Sequence, residues 1–369
     1  FRNLIGRVGR IQYTLYGNVF LVCLEDDNKT KPENYVTLLK KDVEPQTLSI
    51  VSISDKEKEY VLECLRQGKT KFEKLNGQTI EQFSLMRKAA NILLREIMLD
   101  RRGRVRREFE ESMTANDPAL IKEMFTGRKN EPDDDINVSV DQIDKVVSAI
   151  EGGLDYPKVN IYGYVGFQPT LEFLEGLCEA FDWETYESST LGRVNKEGKH
   201  SNLRFYATLL TQWLTGNGIK YMIDQAISYK QGKNIYLNGE SKLFDDGEEH
   251  RNKVIEDTLN NVNDIILFRL SNYFMRFSTE LKKYHHRDFL TNDWYEYVEY
   301  GTTNKVCILL QKNGFSPETA TYIQKREDIY IVRTDEGVKV SLSLLQCERI
   351  SVREEARTVY NNMPELFDE

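Results

Sequence analysis

The chain has 369 residues, 40% of them hydrophobic and 30% charged, with 8 prolines and a formal net charge of −9. That length allows two or three domains, and the composition predicts a globular, largely helical protein. It excludes a membrane-spanning helix, because no apolar run approaches the roughly eighteen residues a span needs. Cys23, Cys64, Cys178, Cys307 and Cys347 show neither metal-ligand spacing nor a paired framework, so they read as reduced cytosolic thiols. The acidic net charge does not exclude nucleic acid, since binding depends on a local basic stripe.

The chain opens Phe1-Arg2-Asn3-Leu4-Ile5-Gly6-Arg7-Val8-Gly9-Arg10. Glycines here let backbone and arginine approach a phosphate without a Cβ in the way. A planar guanidinium stabilises the charge that spreads over a transferring phosphoryl group. The string resembles motif VI of superfamily-two helicases, where two arginines reach ATP bound between two RecA-like lobes. The resemblance implies that Arg7 and Arg10 are catalytic, that Asn3, Gly6 and Gly9 help bind the nucleotide, and that ATP and Mg²⁺ are the cofactors. Asn3 stands where many relatives have Gln, and Val8 where many have Ala; neither blocks the arginine chemistry.

A phosphate-binding loop does not accompany the motif. Gly68-Lys69-Thr70 has Glu63 where the first glycine belongs, and Asp133-Asp134-Asp135 follows a proline in a polar linker. Phe1 falls inside the motif, so the chain reads as the C-terminal part of a longer helicase with its ATP-binding half upstream. Gly17-Asn18-Val19-Phe20-Leu21-Val22-Cys23-Leu24 pairs a turn with a continuous apolar run, as a buried parallel strand does. Residues 1–48 are therefore expected to end the second RecA-like α/β lobe.

From 49 to 127 the pattern is helical. Ser54 offers an N-cap to a helix that Gly68 ends; apolar positions recur from Ile80 to Leu99; a short run spans Pro118 to Phe125. Three such helices after a RecA-like lobe fit a degraded winged-helix-like region. Arg101-Arg102-Gly103-Arg104-Val105-Arg106-Arg107 makes Arg101, Arg102 and Arg104 candidates for nucleic-acid contact. Glu108, Glu110 and Glu111 offer the alternative, a salt-bridged helix face. The charged, proline-broken stretch Gly127 to Asp135 is the expected domain boundary.

A helical bundle is expected over 138–290, with helices near Val140–Ile150, Pro169–Phe181, Asn202–Leu214, Ile219–Tyr229 and Glu249–His285. Leu209-Leu210-Thr211-Gln212-Trp213-Leu214-Thr215-Gly216 resembles a Leu-Leu-x-x-Trp-x-x-Gly segment in the helical domain of Ski-like helicases. By itself, Trp213 near a helix end is a core anchor. Ile255, Leu259, Val262, Ile266, Leu270, Tyr273 and Phe277 keep the spacing of one extended amphipathic helix. In Ski-like helicases a ratchet helix lies along the strand, which would make Arg269, Asn272 and Arg276 strand contacts. A structural helix in the bundle is the alternative.

Over 291–369, Ile308 to Ile323 resembles a helix-hairpin-helix with Ser316 in place of the second glycine. A turn at Gly314 and Ser316 would present backbone N–H groups to a phosphate at the start of the second helix. An ordinary αα-hairpin is the alternative. Asp328 to Ile350 alternates around Asp335-Glu336-Gly337 and predicts a small β-hairpin. With Tyr300-Gly301-Thr302-Thr303, these strings look like helicase subunits of Hachiman-type bacterial anti-phage defence, which partner a nuclease. The fold expected is mainly α. The partner expected is single-stranded or partly duplex nucleic acid, DNA in the first instance, and not a membrane. The rival reading is a non-catalytic helical module that binds protein or nucleic acid.

Overall fold

The computed structural model describes residues 53–128, 130, 135–195, 200–334 and 337–368, with 31, 33, 34 and 37 besides. Asn3, Gly6, Arg7, Gly9, Arg10 and the strand expected at 17–24 lie outside the described residues. The protein is mainly helical, as its composition predicts. It divides into two compact units, one within Leu48–Glu299 and one within Tyr300–Glu369.

The first unit begins with α1 (Asp55–Arg66), opened by a capping box in which Ser54 and Glu57 satisfy each other's backbone N–H groups. Thr79 and Gln82 do the same for α2 (Ile80–Met98). Phe83, Met86, Ala90, Leu93, Leu94 and Ile97 are buried, as their spacing predicts. They pack with Leu62, Phe72, Phe109 and Phe125 in one apolar cluster that includes α3 (Arg104–Phe109) and α4 (Asp117–Phe125). Arg66 forks onto Asp117, with Nε–Oδ1 at 3.0 Å and Nη2–Oδ2 at 2.9 Å, and so ties α1 to α4. Among the described residues 53–128 no strand accompanies these helices, so no wing stands there.

The stretch after Gly127 is bridged. Val140, the first residue of α5 (Val140–Glu151), belongs to the same apolar cluster as α1 to α4. The Asp141 carboxylate accepts from the backbone of Thr70 (2.6 Å) and Lys71 (2.9 Å) and from Arg128 (3.0 Å). Local composition marks a solvated loop but carries no trace of contacts to residues some seventy positions away, so the expected boundary falls inside one unit.

α6 (Phe167–Ala180), α7 (Trp183–Tyr186), α8 (Ser201–Leu214) and α9 (Gly218–Lys230) follow. A β-hairpin comes next, β1 (Asn234–Leu237) and β2 (Glu240–Leu243), paired Asn234↔Leu243 to Leu237↔Glu240. Its turn places Asn238 at φ +52° and Gly239 at φ +84°, the pair of left-handed positions that matches strand twist. The expected long helix is present from 248 to 285, but in three parts: α10 (Glu248–Asn260), a π-helical segment (Asn261–Leu270) and α11 (Ser271–His285). Phe274 and Phe277 of α11 pack with Tyr156, Phe173 and Trp294, ring centroids 5.1–6.1 Å apart, and Trp294 opens α12 (Trp294–Tyr300).

The second unit holds the expected αα-hairpin, α13 (Lys305–Lys312) and α14 (Pro317–Gln324), followed by α15 (Glu327–Tyr330). β3 (Ile331–Thr334) pairs antiparallel with β4 (Gly337–Ser341), where the β-hairpin is expected. After α16 (Ile350–Asn362), the short β5 (Phe367–Asp368) adds to β4 in parallel, giving the order β3-β4-β5. Leu310, Phe315, Ala320, Ile323, Leu344 and Ala356 form its core.

Candidate nucleic-acid interface

Gly103 stands at the start of α3, within the basic cluster. A Cβ there would collide with the Glu96 carboxylate, which reaches the helix start and accepts from the Arg106 N–H at 2.7 Å. Arg101, Arg102 and Arg104 are exposed. Arg102 forks onto Glu110 at 2.6 and 2.7 Å, so the salt-bridged alternative holds for it. The pair is exposed on both sides, where water screens it and a phosphate can compete. Arg101 and Arg104 meet no carboxylate among the described residues.

The three residues assigned to a strand on the long helix do not form one row. Asn272 is exposed. Arg269 is half-buried, its Nη1 2.5 Å from Glu187 Oε2, and the same carboxylate accepts from Tyr273 (3.1 Å) and Thr190 (2.7 Å). Arg276 is buried, with Nη2 2.8 Å from the equally buried Glu280 one turn on. As placed, Arg276 holds the bundle and presents nothing to a strand. A buried acid at i+4 draws the guanidinium inward, which spacing alone does not reveal.

The helix-hairpin-helix expectation meets a similar correction. Gly314 does make the tight turn, at φ +97°, and Ser316 does cap α14 by accepting from the Thr319 N–H at 3.2 Å. But the Ser316 N–H that would meet a phosphate donates to Glu355 of α16. The same carboxylate accepts from Ser316 Oγ (3.0 Å) and Thr319 Oγ1 (2.5 Å). An internal anion therefore fills the seat at Gly314 and Ser316. Trp213 behaves as an anchor, its indole N–H donating to the Val298 carbonyl at 2.7 Å.

A cluster that sequence reasoning passed over lies in the second unit. The Tyr322 ring carries the guanidinium of Arg326 at 4.0 Å from its centroid and that of Arg349 at 5.4 Å. Tyr330 stacks on Tyr322 at 6.2 Å. Cys347 Sγ lies 3.6 Å from both hydroxyls. Burial alone would push this thiol up, but its hydrogen bonds with Tyr322, Tyr330 and the Arg349 backbone and the charge of Arg326 outweigh it and bring it below its ordinary value. For Cys178 and Cys307 burial wins, and it pushes them up to about 12 and about 11. Basic residues two helical turns or more apart around tyrosines were the available signal, but only the fold brings them together.

Among the described residues no group of three His, Cys, Asp or Glu side chains converges as a metal site, and no helix is long and apolar enough to cross a membrane. Comparisons with family models, with curated proteins and with solved structures give no match.

Proposed function

We propose that the chain is the C-terminal part of an ATP-dependent, Ski-like superfamily-two helicase that acts on single-stranded or partly duplex nucleic acid, DNA first. The observation that carries this is Gly6-Arg7-Val8-Gly9-Arg10 followed by the Gly17–Leu24 strand pattern. Arg7 and Arg10 would sense and stabilise ATP phosphate, with Mg²⁺ and the rest of the nucleotide site supplied by upstream lobes. The helical unit would hold the strand, and its exposed Arg101, Arg102, Arg104 and Asn272 support that part. A role in bacterial anti-phage defence beside a nuclease subunit, in the cytoplasm, follows from the same family likeness.

The test is binding of labelled single-stranded DNA and RNA by the folded chain across a salt series. Strand holding by phosphate contacts requires affinity that falls steeply with salt. Replacing Arg101, Arg102 and Arg104 together by alanine should reduce the log–log slope by about 2, at roughly 0.7 per contact on a single strand. Absence of binding at low salt rejects the strand-holding role.

One observation favours the second reading, a binding module without chemistry. Ile161, Tyr162 and Tyr164 are 91%, 76% and 55% exposed on one short loop. Asn160 holds that loop rigid, its Oδ1 accepting from the N–H groups of Tyr162 and Tyr164 at 2.9 Å each. Pre-ordered exposed aromatics are the usual anchors of a protein interface. Tyr162→Ala should weaken capture of a protein partner and leave strand binding unchanged.

A further inference from the structure

We infer that Arg326 and Arg349, both over the Tyr322 ring, with Arg353 hydrogen-bonded to the neighbouring Cys347, form a site for a phosphate group of a nucleic-acid strand. This rests on the strand-holding reading and gives it a second contact region, in place of the αα-hairpin seat that Glu355 occupies.

The argument starts from donors and acceptors. Each guanidinium has five N–H donors and no acceptor. Arg326 uses one, on the Tyr322 carbonyl at 3.4 Å. Arg353 uses one, on the Cys347 carbonyl at 3.4 Å, and its Nε is buried without a hydrogen bond among the described residues. Arg349 is exposed. Elsewhere Arg66, Arg128, Arg269, Arg276 and Arg333 each sit against a carboxylate. Here two carboxylates close in sequence are engaged by other arginines. Glu327 accepts from Arg333 at 2.8 Å, and Glu354 accepts from Arg357 at 3.1 Å while standing 3.8 Å from Arg353 Nε. Among the described residues Arg326 and Arg349 are left with an aromatic ring and no salt-bridged carboxylate, in a chain of net charge −9.

A phosphate meets that surplus. Its oxygens accept from two guanidiniums at once, and the fork geometry suits a tetrahedral anion better than it suits water. The stacked Tyr322–Tyr330 pair adds an aromatic surface at the same place, the combination of cationic donors and rings that holds single strands.

The experiment uses the whole chain, a fluorescent oligothymidylate, and inorganic pyrophosphate as a second probe. Arg326→Ala/Arg349→Ala is compared with Arg326→Lys/Arg349→Lys, with thermal melting as the fold control. Arg349→Ala alone, at an exposed position, replaces the double variant if that one melts early. The expected result is an affinity loss on the order of tenfold for the alanine pair, with the salt slope reduced by about 1.4. The lysine pair should keep the slope and still bind more weakly, because an ammonium does not fork. A folded alanine variant that binds the strand with unchanged affinity and slope overturns the site and leaves the strand-holding reading in place. If the chain binds no strand, yet pyrophosphate binds the parent and not the alanine pair, the arginines take a phosphate that is not a strand's, and both the strand site and the strand-holding reading fall. A chain that binds neither probe overturns both.

Discussion

Two regions of this molecule lay a guanidinium on a tyrosine, and they differ in everything around that contact. Arg87 sits 3.4 Å from the Tyr186 ring centroid and is only 9% exposed. Its Nη2 donates to Gln142 Oε1 at 3.1 Å and to the Asn137 carbonyl at 3.3 Å, so α2 is fastened to α5. Arg326 and Arg349 make the same kind of contact with Tyr322, but Arg349 is open to water and neither forms an ion pair with a carboxylate among the described residues. The ring contact alone therefore says nothing about role. Burial and the remaining N–H partners decide whether such a stack holds a fold or awaits a ligand.

The largest effect that would break this distinction is at Arg87. Replacing it by alanine removes a desolvated cation–π contact, takes one of two donors from Gln142 Oε1 and leaves the Asn137 carbonyl without this partner, which should cost about 3 kcal/mol in urea unfolding. Arg87→Lys should recover only part of that, since one ammonium cannot serve both acceptors and the ring. Arg349→Ala should stay within about 0.5 kcal/mol of the parent. Equal losses at the two positions would sink the contrast.

Next comes a charged pair of the structural kind. The Arg66 hydrogen bonds hold the Asp117 carboxyl down at about 2, against the opposing effect of burial and with help from the Thr114 N–H. The unfolded chain thus binds this proton first as pH falls. The stability it contributes is complete above pH 4 and is lost as pH falls towards 2. It amounts to about 2 kcal/mol, taking 1.36 kcal/mol per pKa unit. Urea titrations at pH 5 and pH 2.5 should show that loss in the parent and little of it in Asp117→Asn.

Glu355 tests the other side of the comparison, a ligand seat already taken from within. Glu355→Ala removes three hydrogen bonds at the start of α14 and should cost about 1–2 kcal/mol. It also frees the Ser316 N–H. If the hairpin can take a phosphate at all, strand affinity should rise in this variant while it falls in Arg326→Ala/Arg349→Ala. A fall in both would show that Glu355 supports the arginine cluster rather than filling a seat.

These cases also show what the sequence could reveal. Ser54-x-x-Glu57, Thr79-x-x-Gln82 and Ser139-x-x-Gln142 announce three helix starts, because a capping box is a contact within four residues. Asn238-Gly239 is a local signal of the same kind for the β1–β2 turn, but the reading of helices at 219–229 and 249–285 left no strands between them. The π-helical segment was not legible, since apolar spacings of three and four do not separate it from an α-helix over ten residues. Nor were the sites. Glu355 and Ser316 are 39 positions apart, and Arg276 turns inward through a partner whose burial only the fold creates. Arg7 and Arg10 are the reverse case, expected from a motif resemblance alone and outside the described residues.

The smallest expected effect is at Cys347, and it probes the arginine cluster from beneath. Its folded value lies below the ordinary thiol value of 9.0, so the thiolate is the form the fold favours. The stabilisation this brings is fully present above pH 9 and is lost as pH falls through the folded value. Melting temperature should therefore rise with pH more in the parent than in Cys347→Ser across the alkaline range. Cys178 and Cys307, which burial pushes the other way, serve as controls of opposite sign. A phosphate seated on Arg326 would compete for the charge that favours the thiolate, so saturating pyrophosphate should shift the Cys347 titration upward. A titration that ignores pyrophosphate, in a chain that binds it, would place that anion away from Tyr322 and remove the distinction drawn between its arginines and Arg87.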